Sequence, residues 1–187
     1  MVTAYFTASS LDGYIADQDN DLGWLFKQPI DEHGPMHYGA FIDGVGALVM
    51  GATTYRWIKE HHVDRGETWD YHQPTWVMTH REQPVIEGAD VRFTQSDVAT
   101  VHAEMVRAAG EKDVWLVGGG DLVGQFADAG LLDEVWVQFA PVTLGDGAPL
   151  LPRRLDLELL EVARNEAFLC GRYRVLGPLR AQDQAPA

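Results

Sequence analysis

The chain has 187 residues, 46% of them apolar and 22% charged, which is ordinary for one globular domain built on a single core. Its formal net charge of -14 sets long-range repulsion against nucleic acid and anionic membrane surfaces, so neither is an expected partner. An anionic ligand must then find a local basic cluster.

The first residues enter an apolar segment, Val2 to Ser9, that reads as a strand. No basic leader region precedes it and no run approaches a membrane span, so secretion and insertion are not expected. Ser10 to Leu22, rich in Asp, Asn and Gly, reads as a loop. Pro35 to Ile42 predicts a helix, and Ala47 to Met50 a buried strand ending at Gly51. Ala52, Thr53 and Thr54 open a second helix that runs through Glu60. A Thr53 or Thr54 hydroxyl suits either a helix cap or a phosphate oxygen. His61 to Gln73 form a polar loop, Thr75 to Thr79 a third strand and Val91 to Thr94 a short fourth. From Asp97 onward Val98, Val101, His102, Met105, Val106 and Ala109 recur at helical spacing until Gly110 stops them.

The segment D-V-W-L-V-G-G-G-D-L-V-G-Q-F, Asp113 to Phe126, runs an apolar strand into Gly118, Gly119 and Gly120 at the start of an amphipathic helix. Glycines let a ligand approach the backbone, and the first N–H groups of a helix lack internal partners at the positive end of its dipole. With Gly51 to Thr54 this makes two candidate phosphate turns, a number that suits a diphosphate. Neither matches G-x-G-x-x-G or the G-K-S/T ending of a P-loop, which disfavours both common nucleotide folds. Arg56, Lys59, Arg81 and Lys112 fall near these turns in sequence and form a candidate basic patch.

Beyond Gly130, Glu134 to Ala140 reads as a strand, P-V-T-L-G-D-G-A-P-L-L as a loop, and Leu157 to Ala163 and Phe168 to Leu176 as two late strands. Strands alternating with helices and closing on a hairpin predict a mixed sheet, parallel early and antiparallel late. Residues 1–180 are expected to form one domain and 181–187 a disordered tail. The lone Cys170 reads as a buried core thiol suited to a reducing cytoplasm. His33 and His37, and His61 and His62 beside Asp64, fall short of the three or four convergent ligands of a metal site, so no metal is expected.

In order and spacing, T-A-S-S-L-D-G-Y-I-A, V-M-G-A-T-T-Y, V-M-T-H-R, L-V-G-G-G-D-L and G-L-L-D-E-V-W-V-Q-F-A-P-V-T-L-G-D-G-A-P-L-L resemble the dihydrofolate reductase-like fold, and within it the bacterial riboflavin-biosynthesis reductase C-terminal domain family. The resemblance covers nearly the whole chain. It implies an α/β, three-layer architecture with a mixed, mainly parallel central sheet, an antiparallel C-terminal hairpin and flanking helices. It also implies NADPH as cofactor, with its pyrophosphate between Gly51, Ala52, Thr53 and Thr54 on one side and Gly118, Gly119, Gly120, Asp121 and Leu122 on the other. By the same resemblance the backbones of Ala8 and Ile15 hold the nicotinamide carboxamide, and Thr79, His80 and Arg81 surround the adenosine ribose phosphate. Arg81 is the residue suited to select a 2′-phosphate, because a guanidinium gives paired, charge-assisted hydrogen bonds; an exposed arginine at a strand end reads the same.

The loop Ser10 to Leu22 corresponds to a mobile flap over the nicotinamide. Within it Asp12 is either a catalytic group or a turn-former beside Gly13. Trp24 falls where the family packs an aromatic beside the substrate, although a core tryptophan reads alike. His37 is a candidate proton donor, its ordinary pKa lying near neutrality. Folate-reducing enzymes place a carboxylate one turn into the helix after the tryptophan, whereas W-L-F-K-Q-P-I-D-E-H puts Pro29 near that place and Asp31 and Glu32 later. Dihydrofolate is therefore not the expected substrate. The reading is a cytoplasmic, homodimeric reductase that transfers hydride from NADPH to a small pterin-like or aminopyrimidine-like heterocycle, with pairing through the late strands, the apolar Val135 to Ala140 included. The alternative is a nucleotide-binding module of the same fold without turnover.

Overall fold

A computed structural model describes residues 1–179; the tail expected at 181–187 lies outside the described residues. Eight strands form one sheet in the order β5-β4-β3-β6-β1-β7-β10-β9. These are β1 (Thr3–Ser10), β3 (Val45–Gly51), β4 (Thr75–Met78), β5 (Val91–Thr94), β6 (Asp113–Gly118), β7 (Glu134–Ala140), β9 (Leu155–Asn165) and β10 (Phe168–Pro178). The six from β5 to β7 are parallel, and β10 and β9 close one edge antiparallel. Parallel strands are buried on both faces, which is why Val114 to Val117 and Ala47 to Met50 read as unbroken apolar runs.

Alternate side chains divide between two helical layers. On one face Tyr5, Val49, Leu116 and Val137 pack against Val101 and Met105 of α4 (Val98–Ala109) and Val123 and Phe126 of α5 (Gly120–Asp128). On the other, Phe6, Leu48, Met50 and Trp115 meet Tyr55 and Ile58 of α3 (Ala52–His61) and Phe41 of α2 (Tyr38–Asp43). A smaller cluster at the carboxyl end of β7 joins Ala140, Phe168 and Cys170 to Trp24 of the short α1 (Gly23–Phe26). Cys170 is free and buried there, and burial pushes its thiol pKa up. The expected three-layer mixed fold is the fold observed.

The departures are local. The helix expected from Pro35 begins at Tyr38, because Met36 takes φ 55 and His37 becomes the N-cap, its Nδ1 accepting from the Ala40 N–H at 3.3 Å. The loop after β1 contains β2 (Tyr14–Ala16), which pairs with β8 (Ala148–Pro149) inside the other expected loop; each is too short to show a period. β7 lies between β1 and β10 with Val135 and Val137 in the core, so this strand is interior to the sheet and gives no edge for pairing of copies.

Candidate functional site

The carboxyl ends of β1, β3, β4 and β6 lie side by side, and the residues expected to hold a cofactor come together there. Gly51 and the Gly118–Gly119 turn face each other: a Cβ built on Gly51 would stand 3.8 Å from Gly118 O. A Cβ on Gly119 would meet only Ile15 Cδ1, at 4.0 Å. Neither residue needs to be glycine for its backbone, with φ of -81° and -72°. Their missing side chains leave open space at the starts of α3 and α5. Gly120 is different, since its Cβ would lie 2.2 Å from Pro149 O and 2.4 Å from Leu150 O; here the glycine serves packing of α5 beneath β8. Gly118 takes φ +135°, and the Gly118–Gly119 peptide is cis.

Both helix starts also lack a side-chain cap. This corrects the expectation that Thr53 or Thr54 caps α3: the helix begins at Ala52, Gly51 is its N-cap, and both threonines stand within the first turn. By contrast Asp97 caps α4, accepting from the N–H groups of Ala99 at 3.0 Å and Thr100 at 2.9 Å. The first-turn N–H groups of α3 and α5 are left for an anion.

A cavity of about 230 Å³ continues from these turns, lined by Gly51, Thr79, His80, Asp121 and Leu122 as expected, and also by Thr94, Ser96 and Gln125. Thr94 ends β5, Ser96 follows it and Gln125 lies in the second turn of α5, and no motif marks them. Thr79 Oγ1 accepts from the Arg81 N–H at 3.1 Å and donates to Arg81 O at 3.0 Å, which shapes the turn. The Arg81 guanidinium is exposed and has no partner among the described residues. Asp121 faces Arg153 at 3.2 Å, and Arg153 also holds Asp128 at 2.8 Å, so the carboxylate at the mouth of α5 is partly neutralised.

The basic patch is smaller than expected. Lys112 precedes β6, at the opposite end of the sheet, and donates to Asp43 O at 3.0 Å, while Lys59 pairs with Asp64 at 2.5 Å near the carboxyl end of α3. Arg81 and Arg56 remain.

β1 pairs with β6 only over Thr3 to Tyr5 but with β7 as far as Ser10. One edge of the strand around Ala8 is thereby left open beside the glycine turn. The loop above it is stitched down. The Asp12 carboxylate accepts from Ser10 Oγ at 2.6 Å, Gly145 N at 2.7 Å and Leu144 N at 3.1 Å, and Leu11 N donates to Val142 O at 2.7 Å. The Ser10 hydroxyl first, and the two backbone donors after it, hold the Asp12 carboxyl below the usual range. Trp24 is 7% exposed, packs on Ala140 and Cys170, and donates its N–H to Asp21 O at 3.1 Å, which makes it a core residue.

The histidines are dispersed. His61 stacks on Trp57 at 4.3 Å, the His62 ring nitrogen lies 2.7 Å from Glu67, and the rings of His33 and His37 are 6.1 Å apart. Among the described residues no three His, Cys, Asp or Glu side chains converge as a metal site, and no helix is long and apolar enough to cross a membrane.

A mostly parallel sheet with an antiparallel carboxyl hairpin, helices on both faces and two opposed glycine turns at the strand ends defines a dihydrofolate reductase-like protein. The chain belongs to the RibD C-terminal domain family, which matches residues 58–171. It is similar to the uncharacterized protein YwjB of Bacillus subtilis (strain 168), 28% identical over 148 residues that cover 79% of this chain and 81% of that one. The crystal structure of a putative riboflavin biosynthesis protein from Shewanella sp. PV-4 superposes with a TM-score of 0.78 at 26% identity, covering 94% of this chain and 99% of that one. Dihydrofolate reductase from Enterococcus faecalis, in complex with NADP(H), shares the fold at TM-score 0.58 and 16% identity over 94% of this chain and 96% of that one. A RibD C-terminal-type domain of dihydrofolate reductase-like fold is thus the setting for this site.

Proposed function

We propose that the protein is an NADPH-dependent reductase of a small heterocycle. The observation that carries this reading is the pair Gly51 and Gly119, two glycines required by neither backbone nor packing that face one another across uncapped helix starts. The space they leave fits a diphosphate, with first-turn N–H groups of α3 and α5 as donors. Thr79, His80 and Arg81 close the adenosine end, and Arg81 takes the 2′-phosphate. The open edge of β1 at Ala8, with Ile15 above it, positions the carboxamide. The reduced nicotinamide supplies hydride to a carbon of the substrate held against it. The Asp12 staple keeps residues 10–16 seated over that place and excludes water from it. Because the Asp12 carboxylate is taken up by Ser10, Leu144 and Gly145 and His37 Nδ1 serves as a helix cap, a single ordered water, held while bulk water is kept out, is the proton source of this reading.

That same commitment of Asp12 and His37 favours a second reading, nucleotide binding without turnover. A titration with NADPH and NADH, followed by a screen for NADPH oxidation with pteridine and aminopyrimidine acceptors, separates them. Binding with oxidation supports the reductase, binding without oxidation of any acceptor supports the module, and failure to bind either nucleotide sinks both. We further propose that copies pair through the β9–β10 edge, where Leu157, Leu159, Val162, Leu169 and Leu176 are exposed, and that the free thiol of Cys170 suits a cytoplasmic setting.

A further inference from the structure

On the sheet face beneath α1 and α2 a buried amide, Gln138, stands between two apolar clusters. Along β1 and β7 the register partners are Phe6 with Trp136, Ala8 with Gln138, and Ser10 with Ala140, and register partners project to the same face. Phe6 and Trp136 belong to the aromatic core below, and Ala140 to the cluster with Trp24 above. Gln138 lies between them and is 6% exposed. Its Nε2 donates to Met36 O at 3.0 Å, and its Oε1 accepts nothing among the described residues. Beside it Ala8 is small and half-buried.

The residue that Gln138 holds is itself unusual. Met36 sits at φ 55, a left-handed conformation that strains a non-glycine residue and that clusters at ligand-binding corners. A second buried amide secures the same corner: Asn165 Nδ2 donates to Asp31 O at 2.9 Å and Pro35 O at 3.2 Å, and its Oδ1 accepts from the Asp31 N–H at 2.9 Å. Asn165 is thereby used on both sides, whereas Gln138 keeps its oxygen. The carboxylates of the flanking loops are engaged at least in part by their own loops. Asp12 is bound to Ser10, Leu144 and Gly145, and Asp31 Oδ1 accepts from the His33 N–H at 2.9 Å.

We infer that Gln138 is the specificity-determining contact for the substrate, its Oε1 accepting a ring N–H at the level of Ala8. This rests on the reductase reading above. An uncharged acceptor selects an uncharged donor: a planar lactam-type heterocycle with N–H beside C=O, rather than an amidine-type base that is bound as a cation and needs a carboxylate partner.

The test is calorimetric titration, at pH 7, of the protein saturated with NADP+, using lumazine as the lactam probe and 2,4-diaminopteridine as the amidine probe. Wild type is expected to bind lumazine at least tenfold more tightly than the diamino compound. Gln138→Glu, nearly isosteric, reverses that order, and Gln138→Met, of similar length without the acceptor, weakens lumazine at least tenfold. NADPH affinity stays within twofold in both. An unchanged preference in Gln138→Glu, lumazine affinity within twofold of wild type in Gln138→Met, or no saturable lumazine binding to the wild-type complex overturns the assignment and leaves Gln138 as a brace for Met36. Wild type that binds NADP+ not at all overturns the reductase reading first and this inference with it.

Discussion

The two halves of the cleft are built differently. On the side proposed for the cofactor the groups on offer are backbone: Gly51, Gly119 and the uncapped starts of α3 and α5. On the side proposed for the substrate they are side chains brought from far apart in sequence, Gln138 reaching Met36 and Asn165 reaching Asp31 and Pro35. A backbone site is local and announces itself by glycines in a strand–helix joint. A side-chain site is assembled by the sheet, and its members have ordinary neighbours in sequence.

Changes at the glycine turns should have the largest effects and should separate binding from folding. Gly119→Asp introduces a carboxylate into open space at φ -72°, so the fold tolerates it while NADPH affinity falls at least ~100-fold, about 2.8 kcal/mol, as read by fluorescence titration. Retained affinity with an unchanged melting temperature would break the backbone account. Gly120→Ala should do the reverse. The methyl would lie 2.2 Å from Pro149 O, and overpacking of that kind costs about 2 kcal/mol, a fall of roughly 4–8 °C in melting temperature for a chain of this size.

In the turn that follows β4, beside the cavity residues Thr79 and His80, Arg81→Ala is expected to cut the preference for NADPH over NADH about tenfold, about 1.4 kcal/mol, with NADH affinity unchanged. Equal loss for both nucleotides would place Arg81 elsewhere than on the 2′-phosphate.

Asp12→Asn tests the staple over the cleft by its pH dependence. The Ser10 hydroxyl holds the folded-state pKa of Asp12 below its unfolded value, so its contribution to stability is fully present above about pH 4 and is lost as pH falls through the lowered folded value. Thermal melts of wild type and variant should differ by a constant amount from pH 7 to about pH 5 and converge in acid; a gap that widens on acidification would contradict the sign. The smallest effect belongs to Thr54→Ala, within about 0.5 kcal/mol in stability, because this hydroxyl does not cap α3. A loss near 1 kcal/mol, as for a true N-cap, would show that it does.

The strand–glycine–helix joints at Gly51 and Gly118 to Gly120, the start of α4 at Asp97 and the late hairpin were legible in sequence, because each rests on residues within one turn or one strand of each other. Lys112 misled for the complementary reason. Near the glycines along the chain, it stands one strand length away from them in space. Asp12 and His37 carried the right chemistry for proton transfer, yet their partners Leu144, Gly145 and Ala40 commit them to structure.

By itself the sequence determined the layers, the parallel order of alternating elements, the glycine turns and the family they mark, since periodicity and backbone permissiveness are properties of neighbouring residues. Only the tertiary structure decided that Gly51 faces Gly119 while Gly120 is packed shut, that Trp24 is core, and that Gln138 stands beside Ala8 with a free oxygen. Those facts depend on strand register and sheet order, which join residues from a few tens to more than a hundred positions apart and leave no local trace in the chain.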